Sequence, residues 1–298
     1  MTSQTQDRSK VKDSSLFSGR VILACLDGSS TSEQVCDYAS WMAKAVDRPL
    51  KLLHTIEHNH NPAVSDYSGA IGLGSQQELL EELTEVEQSR ASLLIKKGQL
   101  ILNAAKQKAL AAGVAKVETY QHHGTLAESL IEIEDDIRAM VIGIRGKQHE
   151  HQAEGIGHQL ESVIRSMHKP ILVVNKAFSQ PNKTMLAYDG SASCKKALQM
   201  IVESPLLQGM PCHVVYVGKN GEALLDEANV VLKNAGVEVT CVQLEGEVDE
   251  VLAKYQIEND IELTLMGAFS HNRFRDLLLG SFTAKMLAAT NRPLLLLR

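Results

Sequence analysis

Short apolar runs alternate along this chain with longer stretches whose apolar residues recur at helical spacing. Val21–Leu26 is an apolar run of strand length that ends in Asp27-Gly28-Ser29. Val35, Tyr38, Ala39 and Met42 follow three or four apart, which predicts a helix with one buried face. Leu50–Ile56 is the second strand, and Gly113 stops the helix behind it because glycine tolerates the left-handed turn that ends a helix. A third strand leads to Gly124. A helix carrying Leu126, Leu130 and Ile133, a strand at Met140–Ile142, a Gly-containing loop, a further helix and a strand at Ile171–Val174 complete the series. Strands separated by helices imply a parallel sheet covered on both faces.

The same series then starts again. Met185–Tyr188 runs into Asp189-Gly190-Ser191, with the two Asp residues 162 positions apart. That offset also pairs Pro49 with Pro211 and Thr55 with Val217. Further on it drops to between 122 and 124, pairing Gly113 with Gly236, Gly124 with Gly246, Gly143 with Gly267 and Pro170 with Pro293. The second half repeats the helix (Ala197, Leu198, Ile201), the strand (His213–Val217), the next helix (Val248, Val251, Leu252) and the last strands (Leu263–Met266, Leu294–Leu297). Four segments follow: an N-terminal arm at 1–19, a first domain at 20–175, a linker at 176–183 carrying Pro181 and Asn182, and a second domain at 184–298. The first domain holds about 39 extra residues between positions 56 and 113. Of these, Asn59–Ser75, with Pro62, Gly69, Gly72 and Gly74, is expected to be a mobile loop. Gln76–Ala112, rich in Glu, Leu, Lys and Ala, is expected to be helical with an interruption near Gly98. It reads as a solvated helix laid partly on the core, or else as a surface for a partner.

Composition narrows the function. A chain of 298 residues suits two domains of roughly 150, each able to bury its own core. A net charge of -6 argues against a nucleic-acid binder that works by neutralising phosphates. No apolar stretch approaches the roughly 18 residues of a membrane span, and the polar first residues lack the apolar centre of a secretory signal. Cys25, Cys36, Cys194, Cys212 and Cys241 are scattered without a CxxC pair and read as core thiols of a cytoplasmic protein. His54, His58 and His60, like His149, His151 and His158, are close in sequence. No set has the spacing of a zinc site, so they read as surface histidines.

Ligands of open parallel sheets sit beyond the carboxyl ends of the strands, where the strand order reverses. The Asp after the first strand and the loop after the fourth fall there. In the second half that loop opens with Met266 and Gly267, passes Ser270, and after nine further residues reaches Gly280-Ser281-Phe282-Thr283, which begins a helix. Unpaired N–H groups at a helix start favour an anion. Gly280 leaves room for a phosphate, and the Ser281 and Thr283 hydroxyls are candidate donors. His271, Arg273 and Arg275 lie within the same loop. Asp27 and Asp189 either touch a ligand or shape the turn and cap the next helix. The glycines either admit a ligand or simply permit tight turns.

Asp-Gly-Ser after the first strand, followed by a G-x2-G-x9-G-[ST] loop after the fourth, resembles the nucleotide-binding universal stress proteins. The resemblance runs from about Arg20 to Arg298. It implies two tandem open parallel-sheet α/β domains, adenine-nucleotide alpha-hydrolase-like, whose last strands pair to form an intramolecular pseudo-dimer; a homodimer is the other arrangement it allows. It further implies an adenine nucleotide, ATP or AMP, with Mg2+ as a possible companion. Carried over, the site is Asp189, Val217, Met266, Gly267, Ser270, Gly280, Ser281 and Phe282, with Thr283 beside them. The first half would offer Asp27, Thr55, Gly143, Gly146 and Gly157. It departs from the pattern: ten residues separate Gly146 from Gly157, and His158 stands where Ser or Thr is expected, although Arg145 and Lys147 are nearby. In the second half Ser270 replaces the middle glycine. The second half is therefore the expected site.

No P-loop, G-x-S-x-G elbow or HExxH pair occurs, and no residue is marked as a general base. The expectation is a stress-response regulator that acts on a protein partner through nucleotide occupancy. The alternatives are a nucleotide-free scaffold acting through the 76–112 insert, and a slow ATPase. An adenylate-forming or sulfur-transfer enzyme is disfavoured by the lack of an SGGxDS loop.

Overall fold

The computed structural model describes residues 20–57, 73–144, 158–268, 281–290 and 292–298; the side chains of 73–81, 158, 281, 282 and 284 are outside that description. The N-terminal arm and most of the expected 59–75 loop lie outside it as well. The first unit runs β1 (Val21–Cys25), α1 (Ser32–Ala45), β2 (Leu50–Ile56), α2 (Leu73–Ala111), β3 (Val117–His123), α3 (Leu126–Ile133), β4 (Ile137–Gly143), α4 (His158–Ser166) and β5 (Ile171–Val174). The second runs β6 (Thr184–Ala187), α5 (Ala192–Glu203), β7 (Cys212–Val217), α6 (Glu222–Asn234), β8 (Val239–Leu244), α7 (Val248–Glu258), β9 (Leu263–Gly267), α8 (Ser281–Ala289) and β10 (Leu294–Leu297).

The ten strands form one sheet in the order β3-β2-β1-β4-β5-β10-β9-β6-β7-β8. Each unit is parallel throughout. The units meet where β10 pairs with β5 antiparallel, Leu295 opposite Leu172. Both strands are apolar at every position because both of their faces are buried. Side chains alternate across the sheet, so the core divides in two. One cluster lies under α1, α2, α5 and α6 and runs through Leu172, Val174, Leu295 and Leu297 without a break between units. The other lies under α3, α4, α7 and α8, through Ile171, Val173, Leu294 and Leu296. No described helix is long and apolar enough to cross a membrane.

Buried polar groups brace the seam. Thr290 Oγ1 donates to Gln256 Oε1 at 2.6 Å, and Gln256 Nε2 donates to Thr264 Oγ1 at 2.9 Å. Asn175 Nδ2 donates to the Thr290 carbonyl, carrying the chain from the first unit onto the second. The linker has no regular structure but is fastened: the Phe178 ring packs edge-on against Tyr38, and Asn182 N–H donates to Glu262.

Gly113 and Gly236 stop α2 and α6 at φ +87° and +76°, as the helix-end reading expects. Two expectations about the insert need correction. The helix begins at Leu73, taking in the last residues assigned to the loop, and it continues unbroken through Gly98. Gly98 is a contact surface rather than a break. A Cβ there would lie 2.5 Å from His54 Cδ2 and nearer still to Gln121 Nε2, so the missing side chain is what lets α2 settle on β2 and β3. His54 is corrected for the same reason. It sits on the inner side of β2, 8% exposed, with Nδ1 bonded to the Leu26 carbonyl at 2.7 Å, and is not a surface histidine.

His213 on β7 provides a pH-dependent element. Its Nδ1 lies 2.7 Å from the Tyr255 hydroxyl. Burial first, then the Lys183 charge, hold its imidazole below the ordinary histidine value, against an opposing pull from Glu238. The unfolded chain therefore binds a proton more readily, and stability rises with pH and is lost on acidification. The His213 contribution is complete above about pH 6.5 and is lost as pH falls through the lower folded value. His213→Gln should give a shallower decline in the urea midpoint between pH 7 and 5 than wild type. Equal slopes would exclude this role.

Candidate functional site

In each unit the strand order reverses between the first and fourth strands, β1/β4 and β6/β9. A crevice opens there at the carboxyl ends. Both Asp residues are at its mouth. Asp189 is exposed, and its Oδ1 accepts the Ser191 N–H at 2.9 Å, closing a turn over Gly190 at φ +74°. Ser191 rather than Asp189 caps α5, accepting the Cys194 N–H at 3.3 Å. Asp27 shapes the same turn, accepting from Ser29 N–H at 2.9 Å, but is half-buried and also receives the Ser32 hydroxyl at 3.1 Å. The Ser32 position corresponds to Cys194 in the second unit, whose thiol donates to the Ala187 carbonyl. Burial, then the Asp189 charge, push that thiol up to about 11. Cys25 rises to about 12 through burial and Asp27. Neither is a nucleophile at neutral pH.

The remaining candidates divide by what the structure does with them. Gly267 ends β9 and is buried; an added Cβ would lie 2.5 Å from Ser193 Oγ and 3.1 Å from its Cβ. Its bareness thus serves the approach of α5 to β9 at the floor of the crevice. Met266 is buried in the core beneath α7 and α8, and Val217 ends β7, half-buried against the same core. Thr283 is fully buried, and its hydroxyl donates to the Ala268 carbonyl at 2.6 Å. That hydroxyl fastens the first turn of α8 to the end of β9 and is not turned outward toward an anion. Ser281 and Phe282 open α8. Thr55 lies half-buried on β2 opposite His122, and Gly143 ends β4 opposite Val174. Ser270, Gly280, Gly146 and Gly157 lie outside the described residues, as do Arg145, Lys147, His271, Arg273 and Arg275.

One contact distinguishes the two mouths. In the first unit, Gln159 Nε2 in the opening turn of α4 donates to Glu57 Oε1, just past β2, at 2.8 Å. These residues are 102 positions apart, and their bond bridges the crevice. The repeat places Lys219 and Phe282 at the equivalent positions in the second unit. Phenylalanine cannot make that bond, and a cation replaces the carboxylate. No local pattern announces this bridge. The Asp27–Ser32 bond was accessible from the five-residue spacing and the habit of Ser of bonding nearby backbone and carboxylates. Directly before Asp189, the Tyr188 hydroxyl is buried without a hydrogen-bond partner, and burial, followed by the Glu227 charge, pushes it up to about 12. Among the described residues no group of three or more His, Cys, Asp or Glu is assembled to hold a metal ion.

Two doubly wound α/β units in tandem, joined through their final strands and each with a crevice at its switch point, define a repeated Rossmann-like class of protein. Residues 19–175 and 218–298 match the universal stress protein family, and the chain belongs to that family. It is 38% identical over 284 residues to the universal stress protein Slr1230 of Synechocystis sp., covering 93% of this chain and 99% of that one. Among solved structures, a universal stress protein from Archaeoglobus fulgidus has the same fold, with a TM-score of 0.70 at 18% identity, over 93% of this chain and 96% of that one. A putative universal stress protein from Pseudomonas aeruginosa matches with a TM-score of 0.58 at 13% identity, over 95% and 94%.

Proposed function

We propose that the chain is a cytoplasmic stress-response regulator that holds ATP or AMP in its second unit and signals that occupancy to a protein partner. The observation that carries this reading is the difference between the two mouths. In the second, Asp189 stands exposed and Lys219 follows β7 where Glu57 follows β2; the first has a half-buried Asp27 and the Glu57–Gln159 bridge. At the position just past the second strand of each unit, the Glu57 carboxylate repels phosphate and Lys219 attracts it. Family membership supports the nucleotide class.

The residues present fit an adenine nucleotide. Asp189 offers a hydrogen-bond acceptor to ribose or adenine, Val217 an apolar strand end, and the segment from Gly267 through Ser270 to Gly280, Ser281 and Phe282 the backbone amides for phosphates. Met266 and Thr283 act from beneath: Met266 packs the floor, and Thr283 sets the start of α8. A bound nucleotide, with Mg2+ where it is ATP, would supply the phosphate charge for these amides to hold. No sequence motif marks a general base, and our reading is that binding rather than turnover is the output. The antiparallel β5–β10 pairing supports reading the chain as a pseudo-dimer of the two units.

Purified protein should release an adenine nucleotide detectable by mass spectrometry. Gly280→Val, whose methyls fill the phosphate approach, should release much less. A wild-type preparation that carries no nucleotide and gives no calorimetric heat with ATP, ADP or AMP would favour the nucleotide-free scaffold acting through α2.

A further inference from the structure

The second unit manages with a 13-residue α6 where the first has a 39-residue α2. At 1.5 Å per residue α2 is about 58 Å long. Among its described side chains, the C-terminal part is the part seated on the body. Ile95 accepts from Gln121, Gly98 rests on His54, and Leu102 and Ala109 are buried in the core. From Glu82 to Arg90 every side chain is exposed except the half-buried Leu83. The outward surface is not polar throughout: Val86, Leu93 and Leu100 are 64, 67 and 70% exposed. They recur every seven residues. Leu79, Leu83 and Ala104 complete a 4-3 alternation in the sequence, with Arg90 and Lys97 at the two remaining positions. That is the repeat of a coiled-coil seam, and it keeps these side chains within roughly 20° per heptad on one face.

The charges along α2 identify the occupant. Residues 73–89 contain Glu78, Glu81, Glu82, Glu85 and Glu87 and no Lys or Arg; residues 90–111 contain Arg90, Lys96, Lys97, Lys106 and Lys108 and no Asp or Glu. This order complements the helix dipole of a single helix. The dipole does not account for an apolar stripe facing outward. A parallel second copy would set Glu against Glu. An antiparallel one sets each acidic overhang along the basic, seated stretch of the other.

We infer that α2 is a self-association element through which two copies of the chain pair antiparallel into a two-fold dimer. With Ser89 near the axis, Glu82 comes opposite Lys96 of the second copy and Leu83 opposite Leu93. The closed two-fold arrangement limits assembly to two.

Sedimentation across a dilution series tests this on the full chain. Wild type should dimerise, and Val86→Asp/Leu93→Asp/Leu100→Asp should weaken association by about 100-fold or more. Far-UV circular dichroism should be unchanged, since all three side chains are exposed. Cysteine cross-linking tests the direction, against a background of native thiols that are buried or half-buried. Ser89→Cys should oxidise to a covalent dimer. Ser75→Cys should not do so alone, but should when mixed with Asn103→Cys. A monomeric wild type, a dimer indifferent to the three Asp substitutions, or Ser75→Cys coupling to itself would each overturn the inference. None of these outcomes bears on nucleotide retention, which stands or falls separately.

Discussion

Leu295→Ala is expected to lower the free energy of unfolding by about 2–5 kcal/mol, and to do so for both units at once. Leu295 is fully buried in the middle of β10, between Leu172 of β5 and Leu265 of β9. Its side chain belongs to the cluster that passes from α1 and α2 to α5 and α6 without interruption. Truncation leaves a cavity there that packed strands on both sides cannot close. The loss is a large share of the 5–15 kcal/mol typical of a domain. The single tryptophan, Trp41, is on α1 in the first unit and 8% exposed, so its fluorescence reports the unit that does not contain the substitution. The urea transitions by Trp41 fluorescence and by far-UV circular dichroism should coincide in wild type and shift together in the variant. A Trp41 transition left at the wild-type midpoint while the dichroism moves would mean that the units unfold independently and that the shared core does not couple them.

The fold was legible because each unit gives two independent readings of one pattern. Leu50–Ile56, Ile171–Val174 and Leu294–Leu297 are strands with those same limits. The paired glycines mark equivalent turns at positive φ, Gly28 with Gly190 and Gly124 with Gly246. The all-apolar final strands already implied burial on both faces, and the β5–β10 pair supplies it. What failed was local inference about residues whose role is set from far away in the chain. Gly98 in a run of good helix formers looks like a weak point until His54, 44 positions earlier, is known to lie beneath it.

The candidate site was legible in outline for a similar reason. The turn residues announce their own conformation: Asp189, Gly190 and Ser191 close the turn that their types predict. The direction in which a hydroxyl faces is not written locally. Thr283 reads as a donor at a helix start, yet it occupies the inward face of α8 and bonds Ala268. Gly267 reads as room for a ligand, and α5 takes that room through Ser193 and Cys194. The Glu57–Gln159 bridge joins residues with no shared motif, and only the register of the two units shows that Lys219 and Phe282 replace them.

Gly98→Ala is expected to destabilise the protein by about 1–3 kcal/mol, the cost of overpacking a close contact. The sign is informative, because helix propensity alone predicts the opposite: Ala is favoured over Gly by about 1 kcal/mol in a helix interior. Gln121 could swing its amide away, losing its bond to the Ile95 carbonyl. His54 has no such freedom, since its ring is buried and its Nδ1 is held on the Leu26 carbonyl at 2.7 Å. Relief must come from α2 lifting off β2 and β3, which loosens Leu102 and Ala109 from the core. Ser92→Ala, at an exposed position of the same helix, provides the control and should be neutral or stabilising by a few tenths of a kcal/mol. Urea unfolding of the two variants beside wild type decides the matter. A gain in stability for Gly98→Ala equal to that of an exposed site would mean that α2 does not rest on His54, and that its seat on the sheet lies elsewhere.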